Sequence, residues 1–367
     1  MVASRSMVAM LVGALGIACA GSGVSASYVV AHPGLERREA VPAASALRPT
    51  AQPWWSAFES ETLNALISDA GRDASSANAG ERLDAPAAEI GVSAAYVTLV
   101  VQTLRLAYID SARTAVRRQS QIMAANPALH DDFIKELERR EAGAEVSMKK
   151  IDVQREANLA FLVAHCGLSE EALQKTIADE VSQRRLPRFA ALLPQAVPTA
   201  LLANRDDIQL AASLYGIEPR ALLAGTIGVA EDPGEGDAEA DADLPGHPLF
   251  PQAVAQGRAE VAEALRRLQA SNDVAASANQ RVRDARDEFE RSKTQMSRGE
   301  MSEVQMLEDF QGLMLDQQRL AAANGELAIA WIALVASLGS RTSVVLRGSP
   351  ASGAAAFRGR PGVVGSF

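Results

Sequence analysis

The 367-residue chain has little of what catalytic, metal-binding and nucleic-acid-binding proteins use. Its two cysteines, Cys19 and Cys166, cannot make a disulfide framework, and its four histidines show no metal-ligand spacing. There is no glycine-rich phosphate loop and no nucleophile or zinc-hydrolase motif. A net charge of −9 argues against binding to phosphate backbones. We therefore expect no enzyme activity, no cofactor, no metal and no nucleic-acid partner.

Aromatic residues make up only 4% of the chain, whereas 48% of it is hydrophobic. A complete membrane β-barrel needs aromatic girdles at both interfaces, so this composition argues against one. The hydrophobic fraction excludes a wholly disordered protein. Abundant Ala, Leu, Arg, Glu and Gln are typical of long helices, and we expect a mainly α fold.

The N-terminus has the pattern of an export signal. An apolar run too short to anchor stably in a bilayer predicts a signal peptide over residues 1–20. Residues 16–19 (Gly-Ile-Ala-Cys) resemble a lipobox, which would make Cys19 the lipid attachment site and the first mature residue. Ordinary cleavage after Ala20 or after Ala26 also fits the small residues there. Each of the three sites predicts an exported protein.

Composition and helical periodicity divide the rest of the chain. The predicted segments are an extended leader (21–53), a first repeat (54–200) with a long helical hairpin (94–167), a second repeat (201–340) with an acidic linker (229–246) and a second hairpin (253–339), and a disordered tail (341–367). Short accessory helices are expected around 58–70 and 205–215.

The hairpin is the unit that repeats. Glu-Val-x-Met occurs at 145–148 after Gly143 and at 303–306 after Gly299, which predicts a turn at each glycine. A single hairpin cannot bury its own apolar stripe, so we expect the two copies to pack together as antiparallel, coiled-coil-like pairs. The predicted core residues of these stripes include Leu104, Val146, Val304 and Leu334.

Two groups of residues invite a functional interpretation. Trp54, Trp55 and Phe58 suit packing at the start of the first helix better than a ligand box. His165 next to Cys166 has no orienting acid nearby, so a histidine at a helix C-terminus explains the pair better than a nucleophile and base. We predict no catalytic, metal-binding or cofactor-binding residue.

Several motifs, in order, resemble the TolC-like outer-membrane efflux family, in particular its lipoprotein branch paired with RND-type pumps. The matching positions are Tyr28 and Pro33 after the candidate lipid cysteine, Trp54-Trp55-x-x-Phe58, residues 201–208 (LLANRDDI), residues 259–265 (AEVAEAL) and the turn at 299–307. At 204–208, Asn204 and Asp206 replace the Arg and Pro of the family's usual Arg-Arg-Pro-Asp-Ile.

The resemblance implies two barrel strands in each repeat, three subunits around one tunnel, and contact with a periplasmic adaptor protein and an inner-membrane pump at the glycine-bearing hairpin tips. The strands would fall at about 72–95 and 216–250. Neither stretch shows the alternation of a membrane strand, although 219–228 looks like a remnant of one. We therefore expect the barrel to be largely or wholly missing.

Two functions follow from these expectations. The first is a degenerate outer-membrane-factor-like component of a tripartite, RND-type efflux system, possessing the periplasmic helical part and forming a homotrimer. The alternative is a non-conducting periplasmic interaction or structural (lipo)protein derived from that family. Either protein would lie in the periplasm or be held at the periplasmic face of the outer membrane by the lipid.

Overall fold

The protein is represented by a computed structural model that describes residues 48–49, 53–73, 85–125, 127–182, 193–229, 248–339 and 344–345. The helices of this part are α1 (Glu61–Asp73), α2 (Ala85–Met123), α3 (Pro127–Cys166), α4 (Glu170–Ser182), α5 (Asp206–Tyr215), α6 (Pro219–Leu222), α7 (Leu249–Ser297) and α8 (Glu303–Ser337). Its strands are β1 (Arg48–Pro49), β2 (Ala196–Pro198), β3 (Thr226–Gly228) and β4 (Val344–Val345). The predicted mainly α fold built on two long helical hairpins is confirmed.

The first hairpin, α2 and α3, turns between Met123 and Pro127. Proline suits the first position of a helix because its missing N–H would have no intrahelical acceptor there, and it disfavours helix in the residue before it. Gly143 lies inside α3, where an added Cβ would meet no atom within 4 Å. Glycine inside a helix costs only about 1 kcal/mol, which neighbouring helix formers offset. The predicted turn at Gly143 was wrong, and α2 begins earlier than expected.

The second hairpin, α7 and α8, turns where the sequence predicted. Gly299 has φ +74°, a left-handed conformation that glycine adopts without steric cost. Ser302 caps the N-terminus of α8 in a capping box: its hydroxyl accepts from the N–H of Gln305 at 3.3 Å, and the Gln305 side chain accepts from the N–H of Ser302 at 3.2 Å. Local residues therefore favour a turn at this position.

The four long helices pack in the spatial order α3, α2, α8, α7. The central contact joins the two hairpins, and there the Cβ of any residue replacing Gly325 would lie 2.6 Å from Cγ2 of Val101. Within the described residues, α3 and α7 do not pack along each other. Each of these two outer helices is therefore covered by a long helix on one side only.

The largest hydrophobic cluster lies at the end of the hairpins away from their turns. Trp54 and Phe58, in a 3-10 helix, are buried there, as are Leu104 and Leu334. By length and composition α2 and α8 could each cross a membrane, but 72% and 61% of their most apolar windows are buried in the chain's own core. The large buried fraction is what the central helices of a packed core show.

Two of the predicted core positions behave differently. Val304 is half-buried, and the side chain of Val146 is 69% exposed, so its assignment to the core was wrong. The error follows from the misplaced turn, because shifting the hairpin register changes which stripe of α3 meets α2. The residues of α3 that are buried toward its partners include Leu137, Ile151, Leu159 and Leu162.

The remaining elements are short. The accessory helices predicted around 58–70 and 205–215 are present as α1 and α5. The supposed strand remnant at 219–228 contains the single-turn α6 and the three-residue β3, which pairs antiparallel with β2. In the predicted disordered tail, Val344–Val345 pairs with Arg48–Pro49 of the leader. The predicted signal peptide and the acidic linker lie outside the described residues.

Candidate functional site

The side of α3 that faces away from α2 carries an apolar stripe. The stripe, which we call the α3 outer face, consists of Ala142, Val146, Val153, Ala157, Ala160 and Ala164, all of them exposed. These residues recur at spacings of three, four or seven residues, opposite the buried positions of the same helix. The side chains of Val146 and Val153 are 69% and 68% exposed, the largest values among the exposed large apolar residues. An exposed stripe with coiled-coil spacing can bind another helix.

The corresponding side of α7, at the other end of the row, is polar. This α7 outer face includes Asp273, Ala276, Gln280, Asp284 and Asp287, all exposed and opposite residues that pack on α8, such as Ala275, Ala278 and Val282. The two outer helices thus present faces of different chemistry at the two ends of one row.

Polar contacts join the hairpins near their turns. The guanidinium of Arg118 on α2 donates to both carboxylate oxygens of Glu303, at 2.8 and 3.4 Å, and Arg140 on α3 donates to Glu308 at 2.7 Å. Because Arg118 and Glu303 are both well exposed, screening by water keeps the contribution of that pair small. These contacts align the turn of one hairpin with the turn of the other.

A buried amide pair lies beside these ion pairs. Gln311 on α8 donates to the side-chain oxygen of Gln119 on α2 at 2.6 Å, and Gln119 donates to the carbonyl of Val304 at 2.8 Å. Neither amide is left with a buried donor unpaired, which would be costly. Sequence reasoning missed this pair, although polar residues at the core positions of long helices were a usable signal.

The glycine-bearing tips were the predicted adaptor contact. Gly299 lies in the turn between α7 and α8, and the exposed residues Arg298 and Glu300 lie beside it. Gly143 lies inside α3, so the structure does not bring the two glycines to equivalent turns. Only the second hairpin has a glycine-bearing tip among the described residues.

The remaining candidates have packing roles in the described structure. Trp54 and Trp55 make an edge-to-face contact with ring centroids 5.6 Å apart. The ring centroid of His165 lies 4.2 Å from that of Phe161, and partial burial lowers the pKa of His165. Cys166 is buried. Cys19 lies outside the described residues.

No group of three or more His, Cys, Asp or Glu side chains capable of holding a metal ion occurs among the residues that the structure describes. The grooves on this part of the surface include one lined by Gln209, Ile217 and Arg220 and one lined by Asp287, Arg291 and Glu300. Both are open surface depressions without a buried cluster of titratable side chains. The outer faces of α3 and α7 are therefore the strongest candidates for function.

No family model and no curated protein matches the chain. Several solved structures, however, are similar to it in fold. The chain is similar to CusC, whose crystal structures concern folding and transmembrane channel formation. The TM-score is 0.54 and the sequence identity is 14%, and the match covers 78% of this chain and 98% of the CusC chain. It is similar to a membrane protein from Pseudomonas aeruginosa, with a TM-score of 0.50, 14% identity, and coverage of 76% and 71%. The resemblance to TolC-like outer-membrane proteins is confirmed for the fold.

Proposed function

We propose that the chain is an outer-membrane-factor-like component of a tripartite, RND-type efflux system and supplies its periplasmic helical part. The observation that carries the proposal is the single row of four long helices with an uncovered outer face at each end. The similar fold of CusC, whose crystal structures concern folding and transmembrane channel formation, supports the same interpretation. In this proposal a periplasmic adaptor protein contacts the turn around Gly299 and connects the chain to an inner-membrane pump.

The two outer faces suit assembly of several copies into a ring. In the row, α2 runs toward the turns and packs on α8, which runs away from them. A contact between α7 of one copy and α3 of the next would repeat that polarity. Such a contact is heterologous, and heterologous contacts close into rings when the rotation between copies allows it. The family resemblance sets the expected number of copies at three.

The lengths of the connections favour a degenerate protein that does not open a pore by itself. Between α1 and α2 lie only residues 74–84, and two membrane strands of about 9–11 residues each would not fit there with a turn. The stretch 230–247 is short as well, and charged side chains such as Asp237 and Asp241 are costly in hydrocarbon. In this proposal the helices remain in the periplasm, and a lipid on Cys19 is the contact with the outer membrane.

The test combines the native mass with conductance. We expect the purified, mature protein to sediment as a trimer in mild detergent and to leave planar bilayers non-conducting. Regular single-channel steps would contradict the loss of the barrel. A protein that stays monomeric at micromolar concentration would contradict the efflux component and would favour the alternative, a non-conducting periplasmic interaction protein with the same fold.

A second measurement separates these functions in cells. A photo-crosslinking amino acid in place of the half-buried Met301, in the α7–α8 turn, should capture the periplasmic adaptor of an RND-type pump from the same organism. The same substitution at Ser68, exposed on α1 away from the turns, is the control. Equal capture at the two positions, or none at Met301, would count against a role in efflux.

A further inference from the structure

We infer that oppositely charged side chains on the two outer faces select and align copies of this chain: Lys149 and Lys150 on α3 of one copy pair with Asp284 and Asp287 on α7 of a second copy. The inference rests on the proposed function, in which copies pack side by side. It adds which side chains recognise the neighbour and at which height the contact forms.

The basic side of the contact adjoins the α3 outer face. Lys149 and Lys150 lie between Val146 and Val153, and helical geometry places one lysine on each flank of that apolar stripe. Both lysines are exposed. Lys149 pairs with Glu145 of the same helix at 3.0 Å, whereas Lys150 makes no ion pair within the described residues. Charges that flank an apolar stripe occupy the positions that set partner choice in coiled coils.

The acidic side of the contact is on the α7 outer face. Asp284 and Asp287 are exposed, and their helix carries its buried residues, such as Val282, on the opposite side. Asp284 accepts a hydrogen bond from Gln280 at 2.7 Å, and Asp287 makes no ion pair within the described part of the chain. Both carboxylates are therefore available to cations on a neighbouring molecule.

Contacts within one copy show that these charges lie at the same height, that is, at the same distance from the hairpin turns measured along the helix axes. Arg140 on α3 binds Glu308 on α8, and the next residue of α8, Asp309, accepts a hydrogen bond from Ser292 on α7. Arg140 is therefore level with about Lys293 of α7. The helices α3 and α7 run in opposite directions, α3 away from the turns and α7 toward them. Nine residues after Arg140 is Lys149, and nine residues before Lys293 is Asp284, so these two residues are level with each other as well. A rotation about an axis parallel to the helices keeps heights unchanged and brings these two residues of neighbouring copies together.

These ion pairs determine which helix binds and at which height, and they contribute little to the free energy of association. A single exposed ion pair contributes little, because water screens it and two long side chains lose conformational entropy. Like charges brought together beside an apolar stripe are strongly unfavourable, so the wrong partner or the wrong height is rejected. The apolar α3 outer face supplies the burial, and the charges decide which helix covers it.

Charge reversal tests the pairing. Lys149→Glu with Lys150→Glu, and separately Asp284→Lys with Asp287→Lys, should each weaken self-association at least tenfold in sedimentation experiments at low salt, without changing helicity by circular dichroism. The four substitutions together should restore association. Lys175→Glu with Arg220→Glu changes the net charge as much as the lysine pair does, at exposed positions on α4 and α6, and should leave association unchanged.

Disulfide cross-linking tests the height independently. Val153 lies thirteen residues beyond Arg140, and Gln280 lies thirteen residues before Lys293. Val153→Cys with Gln280→Cys should cross-link neighbouring copies, while Val153→Cys with Asp273→Cys, displaced by two helical turns, should not. Assembly that survives each charge reversal, or cross-linking that is stronger with Asp273→Cys, would overturn the inference while leaving the proposed function standing. Wild-type protein that never assembles would overturn both.

Discussion

At Gly325 the two central helices approach each other so closely that a larger side chain fits only if the helices move apart. A Cβ added there would lie 2.6 Å from Cγ2 of Val101, well inside van der Waals contact. We expect Gly325→Ala to lower the free energy of unfolding by about 1–3 kcal/mol, because α2 and α8 would have to separate. Urea denaturation measures the change.

Gly312, in the same helix, is the matched control for Gly325. It is exposed, and an added Cβ would meet nothing within 4 Å. Gly312→Ala should raise the free energy of unfolding by about 0.5–1 kcal/mol, the usual gain in helix propensity. Adding Val101→Ala to Gly325→Ala should recover part of the loss. Equal effects at the two glycines would contradict the close contact of the helices.

Glu89 on α2 is a half-buried carboxylate beside Trp54. Burial raises the pKa of Glu89, and a hydrogen bond with the Trp54 side chain opposes part of that rise. Because the folded state binds the proton more tightly than the unfolded state, this group stabilises the fold below the unfolded pKa of about 4.3, and that stabilisation is lost as the pH rises through the folded pKa. We therefore expect Glu89→Gln to stabilise the protein more at pH 7 than at pH 4.

Thermal unfolding at the two pH values measures this difference. Glu300→Gln, which removes an exposed carboxylate beside the α7–α8 turn, is the control for the loss of one negative charge. A Glu89→Gln variant whose stability relative to the wild type is the same at both pH values would show that burial of Glu89 does not govern its ionisation.

At the scale of the element, the two hairpin glycines have opposite roles. Gly143 lies inside α3 with open space around it, so Gly143→Ala should stabilise the protein by about 0.5–1 kcal/mol. Gly299 has φ +74°, so Gly299→Ala should destabilise it by about 1–2 kcal/mol. Denaturant titrations of both variants provide the comparison, and stabilisation by Gly299→Ala would contradict the turn described here.

The elements also show how far local sequence specifies a helix end. The start of α8 was predictable because Ser302 and Gln305 cap it and Gly299 allows the turn before it, all within a few residues. The end of α2 was misjudged, because the turn was predicted at Gly143, whereas the chain reverses just before Pro127. Proline restricts the residue before it sterically, whereas glycine only weakens a helix, and α3 has enough helix formers to continue.

At the scale of the whole molecule, the proposed attachment to the outer membrane depends on Cys19. We expect Cys19→Ser to release the protein into the soluble periplasmic fraction, because each buried CH₂ of an acyl chain contributes about 0.8 kcal/mol to anchoring and the variant has no chain to insert. Fractionation with and without detergent measures the change. A variant that still requires detergent would contradict lipid anchoring and would favour insertion of the polypeptide itself.

The sequence by itself determined the helical class, the number of long hairpins and the turn at Gly299. Each depends on features that repeat every few residues or on one glycine with its neighbours, and such local signals act whatever the rest of the chain does. The order of motifs was enough to indicate the fold family, and the solved structures similar to this chain confirm that fold.

Only the tertiary structure decided which sides of the helices are covered. Val146 and Leu104 carry the same kind of apolar spacing, yet Leu104 is buried between hairpins and Val146 is 69% exposed on the α3 outer face. The spacing of apolar residues indicates that a helix has an apolar side. Contacts between residues far apart in the chain decide whether another helix covers that side, and which one. The pairing of Gln119 with Gln311, 192 residues apart in sequence, required the same long-range contacts, because neither amide has a local signal for its partner.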